Sequence, residues 1–79
     1  MSTLTEVGSV LARALTDRPD DVRVVESQHK GTTLVELYLA PGEMGKVIGK
    51  QGRTARSIRT ILNAAAMKQN QRFTLEIVE

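Results

Sequence analysis

Apolar residues in the first half of the chain are spaced as in one helix followed by two strands. Near the start they recur three or four positions apart, as on one face of a helix: Leu4, Val7, Val10, Leu11, Ala14 and Leu15. We expect this helix to end before Pro19, because proline has no amide hydrogen to donate. Residues 22–27 are rich in β-branched side chains and residues 33–39 alternate between apolar and polar, so both are predicted strands. The intervening residues 29–31 include a glycine, which favours a hairpin.

The second half of the chain predicts two more helices and a third strand. Met44, Val47 and Ile48 have the spacing of a short helix of two turns. A longer helix is expected over residues 53–67, where apolar side chains share one face: Ala55, Ile58, Ile61, Leu62 and Ala65. Residues 73–77 alternate again between apolar and polar, which predicts the last strand.

The resulting order of elements, α-β-β-α-α-β, predicts an α+β fold. The hairpin makes the first two strands antiparallel, whereas the two-helix connection allows the last strand to lie parallel to the second. We therefore expect a three-stranded mixed sheet with three helices on one face. The 79 residues form a single domain, 1–79, and leave no room for a second.

Charge is concentrated in one part of the chain. The net charge is only +2, yet seven basic residues and no acidic one lie between positions 44 and 75. Positions 1–43 carry four basic and seven acidic residues. A basic segment in a nearly neutral chain is typical of a surface that binds a polyanion, although a solvated helix face would have the same composition.

Composition also narrows the classes of function. The chain has no cysteine, which excludes disulfides and thiolate metal sites, and His29 has no partner for metal binding or catalysis. We expect neither a cofactor nor a small-molecule substrate. No apolar run approaches the roughly 20 residues that cross a bilayer, and no signal peptide is recognisable, so a cytoplasmic protein without a membrane partner is expected. Tyr38 and Phe73 are the only aromatic residues, which disfavours the base-stacking surfaces of RNA-recognition motifs and oligonucleotide-binding barrels.

Two glycines bracket the connection between the helices of the second half, Gly49-Lys50-Gln51-Gly52. Glycine allows a sharp turn at both corners, because it reaches backbone conformations that a side chain obstructs. The turn ends at the N-terminus of the long helix, where unpaired amide groups and the positive end of the helix dipole favour phosphate. Cations precede and follow it, at Lys46, Arg53 and Arg56. Backbone donors, a helix end and flexible cations together suit a nucleic-acid backbone.

The segment from Val47 to Ile58 resembles the KH motif, in which an apolar pair and Gly-x-x-Gly precede a helix with spaced apolar positions. The element order matches the type II KH arrangement. The length and the segments 40–53 and 64–66 resemble the KhpA (YlqC-like) family of small bacterial single-KH-domain RNA-binding proteins, over essentially the whole chain. Two positions depart from the family pattern. Ala55 stands where KH domains often have isoleucine, and Gln51 is neutral where some relatives have a second basic residue.

This resemblance implies a non-catalytic protein that holds single-stranded RNA, with the loop on the RNA backbone and the bases in the adjacent groove. It also implies an RNA chaperone or post-transcriptional regulator linked to cell elongation and division. The partner expected besides RNA is a second copy, a Jag (KhpB)-type KH protein, or both. The residues expected to bind RNA are Lys46, Ile48, Gly49, Lys50, Gln51, Gly52, Arg53 and Arg56.

Other functions stay open on the residues alone. The segment 45–51 is superficially like a P-loop, but it has three residues between its glycines instead of four and Gln51 in place of serine or threonine, so an enzyme is disfavoured. A helix-turn-helix that binds double-stranded DNA fits loosely, because the first helix of the pair is short. Single-stranded DNA could replace RNA as the ligand. The main alternative is a dimerisation module whose principal partner is another KH protein.

Overall fold

The computed structural model of the protein describes residues 3–79, and the first two residues of the predicted domain lie outside this range. The observed order of elements is the predicted one, with boundaries that differ by one or two residues. The helices are α1 (Thr3–Leu15), α2 (Met44–Ile48) and α3 (Arg53–Lys68), and the strands are β1 (Arg23–His29), β2 (Thr32–Tyr38) and β3 (Arg72–Val78). A single turn of 3-10 helix occurs at Pro19–Asp21, and residues 50–52 form a tight turn between α2 and α3.

The three strands form one mixed sheet with β2 in the centre. β1 pairs with β2 in antiparallel orientation, with Val24 opposite Leu37. β3 pairs with β2 in parallel orientation, with Leu75 opposite Val35. The predicted strand directions are therefore confirmed, because the α2–α3 crossover returns the chain to the same end of the sheet.

Alternation along β2 separates the two faces of the sheet. Thr33, Val35 and Leu37 are buried under the helices, whereas the residues between them are half-buried on the other face. The core joins all three helices to this inner face: Leu4, Ala12, Val22, Val35, Leu37, Leu39, Val47, Ile58, Leu62, Ala66 and Leu75. The helices thus cover one face of the sheet, as expected.

The other face of the sheet carries two acidic side chains side by side. Glu36 on β2 lies in register with Glu76 on β3. The Tyr38 hydroxyl donates a hydrogen bond to Glu36 at 3.1 Å, and this bond to a carboxylate raises the pKa of the phenol above its ordinary value. A face with paired carboxylates is poorly suited to stacking nucleic-acid bases.

The predicted apolar face of helix α1 is only partly buried, because the helix is turned towards its smaller residues. Its buried residues are Leu4, Thr5, Gly8, Ser9 and Ala12. Val7 and Leu11 pack only at the margin of the core, and Val10 is 66% exposed. The reason is the small residues on the buried side. A Cβ atom placed on Gly8 would already lie 3.6 Å from Cδ2 of Leu37, so the helix backbone approaches the sheet closely there.

Helix α3 follows the predicted apolar face, with one exception. Its buried residues are Ala55, Ile58, Leu62 and Ala66. Ile61, which was expected on this face, is 46% exposed. It lies at the edge of the buried face, whose next member after Ile58 is Leu62. Ala55 is 3% exposed, so the small residue at this position belongs to the core.

Candidate nucleic-acid interface

The loop between α2 and α3 begins with a conformation that glycine alone adopts readily. The Gly49 amide donates to the Gly45 carbonyl at 2.9 Å and closes α2. Its φ of 77° and ψ of 173° lie in a region that side chains disfavour strongly. A Cβ atom on Gly49 would also lie 2.7 Å from Cβ of Thr54, the second residue of α3. The first glycine therefore serves both the turn and the packing of Thr54 against it.

The second half of the loop is left-handed at two consecutive residues. Gln51 has a φ of 57° and Gly52 a φ of 73°. Gln51 adopts this conformation although it has a side chain, and two arginines support it. Arg56 donates from Nη2 to the Gln51 carbonyl at 2.9 Å, and Arg53 donates to the Gln51 side-chain oxygen at 3.3 Å. The arginines thus hold the loop in shape before any ligand arrives.

The start of α3 faces the loop without a side-chain cap. Gly52 occupies the N-cap position and makes no side-chain hydrogen bond to the helix, and the first turn contains no acidic residue. The positive end of this 16-residue helix is therefore not compensated by a carboxylate in its own first turn. Exposed Lys50 precedes the helix, and exposed Arg53 and Arg56 lie in its first turns. Together these groups form an electropositive end suited to phosphate oxygens.

Helix α2, which leads into the loop, is held by a buried carboxylate. Glu43 immediately precedes the helix and is 6% exposed. Its Oε1 accepts hydrogen bonds from Thr16 Oγ1 at 2.5 Å and from the Asp17 amide at 2.8 Å. Its Oε2 accepts from Lys46 Nζ at 2.9 Å. These donors, Lys46 first, lower the pKa of Glu43 to about 2.

Lys46 therefore has two acidic partners. Besides Glu43, it contacts Asp17 Oδ2 at 2.5 Å, and both carboxylates raise the pKa of the lysine, with Asp17 contributing more. At the N-terminal end of α2, Glu79 Oε2 accepts hydrogen bonds from the amides of Gly42 at 3.1 Å and Met44 at 3.2 Å. Contacts from the end of α1 and the end of β3 thus converge on this short helix.

The eight residues expected at the site differ in exposure. Lys46, Lys50, Gln51, Arg53 and Arg56 are exposed, whereas Ile48, Gly49 and Gly52 are half-buried. Reasoning from sequence singled out neither Glu43 nor Thr54. The signal for Glu43 was an acidic residue three positions before Lys46, a spacing that permits pairing on a helix. Thr54 carried no such signal, because its importance comes from the space that it occupies beside Gly49.

Two structural features are absent from the part of the chain that the structure describes. Residues 3–79 contain no group of three or more histidine, aspartate or glutamate side chains placed to hold a metal ion. No helix in this range is both long and apolar enough to cross a membrane.

Comparison with known proteins identifies the family. A family model described as KhpA/KhpB, KH domain matches residues 9–77. The chain belongs to this family. The KhpA/KhpB assignment confirms the resemblance and the KH fold that the loop and element order predicted.

Individual relatives are similar in sequence over all or nearly all of the chain. Proteins named RNA-binding protein KhpA from Aquifex aeolicus and Halalkalibacterium halodurans are 48% and 49% identical to it over 79 residues, which is 100% of each chain. A third with the same name, from Clostridium perfringens, is 44% identical over 75 residues, 95% of this chain and 100% of the relative. Part of the protein in a crystal structure of Era with MgGDPNP and nucleotides 1506–1542 of 16S ribosomal RNA has the same fold. It matches with a TM-score of 0.64 at 16% identity, over 95% of this chain and 29% of that one.

Proposed function

We propose that this protein binds single-stranded RNA, without catalysis, through residues 49–52 and the first turns of α3. The observation that carries the proposal is the loop itself. Gly49 and Gly52 leave the backbone bare on either side of exposed Lys50 and Gln51, directly before an uncapped helix end. KhpA relatives at 44–49% identity bear the name RNA-binding protein, which supports RNA as the ligand.

Each group in the loop has a role in this proposal. Lys50, Arg53 and Arg56 neutralise phosphates, and the positive end of the α3 dipole attracts phosphate oxygens. Ile48, which is half-buried, offers an apolar edge to a base in the adjacent groove. Gln51 keeps the loop shaped through its contacts with the two arginines. We extend the proposal to a cytoplasmic RNA chaperone or post-transcriptional regulator linked to cell elongation and division, which the family resemblance implies.

The test compares two variants of the same dipeptide. Lys50→Asp with Gln51→Asp changes the loop, and Lys68→Asp with Gln69→Asp makes the same change at the other end of α3, where both residues are exposed. We expect the loop variant to lose at least about tenfold in affinity for single-stranded RNA, and its salt slope to fall by about 0.7 for each phosphate that it no longer neutralises. The control should retain both the affinity and the slope. Circular dichroism verifies the fold of each variant.

Two outcomes would redirect the proposal. Unchanged RNA affinity in a folded loop variant would exclude the loop as the RNA site. Single-stranded DNA of the same base sequence is the second ligand in the assay. Equal affinity for DNA would mean that the site selects a single-stranded backbone and not RNA as such, because the 2′-hydroxyl is the group that distinguishes the two.

A second candidate function is pairing with another KH protein, either a second copy or a KhpB-type partner. Large apolar side chains stand exposed on both long helices, with Val10 on α1 at 66% and Ile61 on α3 at 46%. These helices pack beside each other. Val10→Asp with Ile61→Asp should therefore shift a dimer to monomer in analytical ultracentrifugation without changing the fold. An unchanged mass distribution would remove these residues from the interface.

A further inference from the structure

Glu43 is the one charged side chain that is buried within residues 3–79. A buried carboxylate is stable only where hydrogen-bond donors replace the lost water. Here the donors come from two different elements. Thr16 and the Asp17 amide follow α1, and Lys46 lies on α2. The carboxylate therefore ties the end of α1 to the start of α2.

Helix α2 depends on such contacts for its position. It has five residues, and a helix of that length is not stable by its own hydrogen bonds. Val47 anchors its inner side in the core, and Glu43 and Glu79 hold its N-terminal end. Because the last residue of α2 is followed directly by Gly49, a rotation of the helix would move the loop with it.

Lys46 has little freedom to leave this arrangement. Its ammonium group contacts both Glu43 and Asp17, so its charge is balanced locally. Binding a phosphate through Lys46 would draw its ammonium group away from Glu43, which would keep the donors from Thr16 and the Asp17 amide but lose Lys46 as its cationic partner. Taking the counter-charge from a buried carboxylate is unfavourable. Lys50, in contrast, is exposed within the loop itself.

On the basis of the proposed RNA binding, we infer that Glu43 is a positioning residue for the loop and that Lys46 acts through Glu43 instead of contacting phosphate. The carboxylate fixes α2 against the end of α1, so that residues 49–52 keep one geometry before RNA arrives. The position of Lys46 in the sequence suggested an RNA contact. In this inference Lys46 instead helps Glu43 to hold α2 and the loop in place.

Removing the charge of Glu43 should change RNA affinity in opposite directions, depending on whether Glu43 acts only through its electrostatic field or positions the loop. If only the electrostatic field mattered, Glu43→Gln would strengthen RNA binding, because it removes a negative charge near the site. A positioning role predicts the reverse. We expect about a tenfold loss of affinity, the scale of one hydrogen bond to a charged group, with an unchanged salt slope. Glu76→Gln, the same change on the face of the sheet away from the helices, is the matched control and should not weaken binding.

Two lysine variants separate a support from a contact. Lys50→Met should lower both the affinity and the salt slope, the latter by about 0.7. Lys46→Met should lower the affinity and leave the slope unchanged. A slope that falls equally in both variants would make Lys46 a phosphate contact and overturn the inference. If Lys50→Met changes nothing, the proposed function itself fails, which is a distinguishable result.

Measuring the RNA affinity of folded protein only distinguishes a variant that unfolds from one in which the loop is displaced. Each affinity is taken well below the melting temperature of that variant, and amide hydrogen exchange is recorded for residues 49–52. A purely structural role would lower the melting temperature and leave the affinity of the folded protein unchanged, which would also overturn the inference. If Glu43→Gln does not fold, Thr16→Val replaces it, because this variant removes one donor to Glu43 without altering charge.

Discussion

The two glycines of the loop are equivalent in the sequence motif and unequal in the structure, so alanine should affect them differently. At Gly49 the new Cβ atom would lie 2.7 Å from Cβ and 3.1 Å from the backbone nitrogen of Thr54. The backbone nitrogen belongs to the first turn of α3 and cannot move alone. At Gly52 a Cβ atom would meet nothing within 4 Å. The substitution at Gly49 thus combines a steric clash with backbone strain, whereas Gly52 has strain only.

The difference in stability follows from these contributions. Alanine in the left-handed conformation of Gly52 costs about 1–2 kcal/mol. At Gly49 the strained φ and ψ cost about 1–3 kcal/mol, and the forced contact with Thr54 adds about 1–3 kcal/mol of overpacking. Central values give a Gly49→Ala variant about 2.5 kcal/mol less stable than Gly52→Ala, equivalent to a gap of roughly 10–20 °C in melting temperature for a domain of this size.

Urea unfolding of the two alanine variants, followed by circular dichroism, measures the difference directly. Thr54→Gly tests its cause. Thr54→Gly costs about 0.3 kcal/mol of helix propensity in the wild type, the difference between glycine and threonine, but it should stabilise the protein when Gly49 is alanine. Equal destabilisation by Gly49→Ala and Gly52→Ala, or additive effects of Thr54→Gly, would refute the described packing of Gly49 against Thr54.

Two further predictions concern stability. The pKa of Glu43 is about 2 in the folded protein against an ordinary 4.5, so its contribution to the free energy of unfolding is complete above pH 4.5 and is lost as the pH falls towards 2. Urea midpoints measured across this range should fall less steeply with decreasing pH for Glu43→Gln than for the wild type. The same dependence of the midpoint on pH in both proteins would contradict the ionised network. On α3, Leu62→Ala at a fully buried position should cost about 2–5 kcal/mol, whereas Met67→Ala, 69% exposed, should stay within about 0.5 kcal/mol, as chemical denaturation can check; similar costs would contradict the assigned orientation of the helix.

The strands and their order were predictable because alternation is a strong local signal. Residues of β2 alternate between the core and the other face, as their sequence indicated. The buried face of α1 was not predictable in the same way. Hydrophobicity favoured Val7, Val10 and Leu11, but Gly8 allows the helix to approach the sheet more closely, and closeness decided the orientation. Small residues carry little hydrophobic signal, so a pattern based on apolarity passes over them.

The candidate site divides along a similar line. The spacing of Gly49 and Gly52 indicated a sharp turn, because glycine readily adopts the positive φ that such a turn needs. The turn is present, with positive φ at both glycines. The contact of Lys46 with Asp17 was not predictable from its neighbourhood, because Asp17 lies 29 positions away and meets it only in the folded chain. Basic residues that look alike along the sequence therefore differ in whether an acidic side chain pairs with them in the folded protein.

Support for the loop comes from both ends of the sequence. Glu43 reaches back 26 positions to the Asp17 amide, and Gly42 reaches forward 37 positions to Glu79. Helix α2 therefore cannot gain its second anchor until the end of β3 has reached it. Contacts of such long range form late, after the entropy of closing the intervening chain has been overcome. A partly folded chain would therefore carry the basic segment without a rigid loop, and recognition that depends on the shape of the loop would begin only once the whole domain has folded.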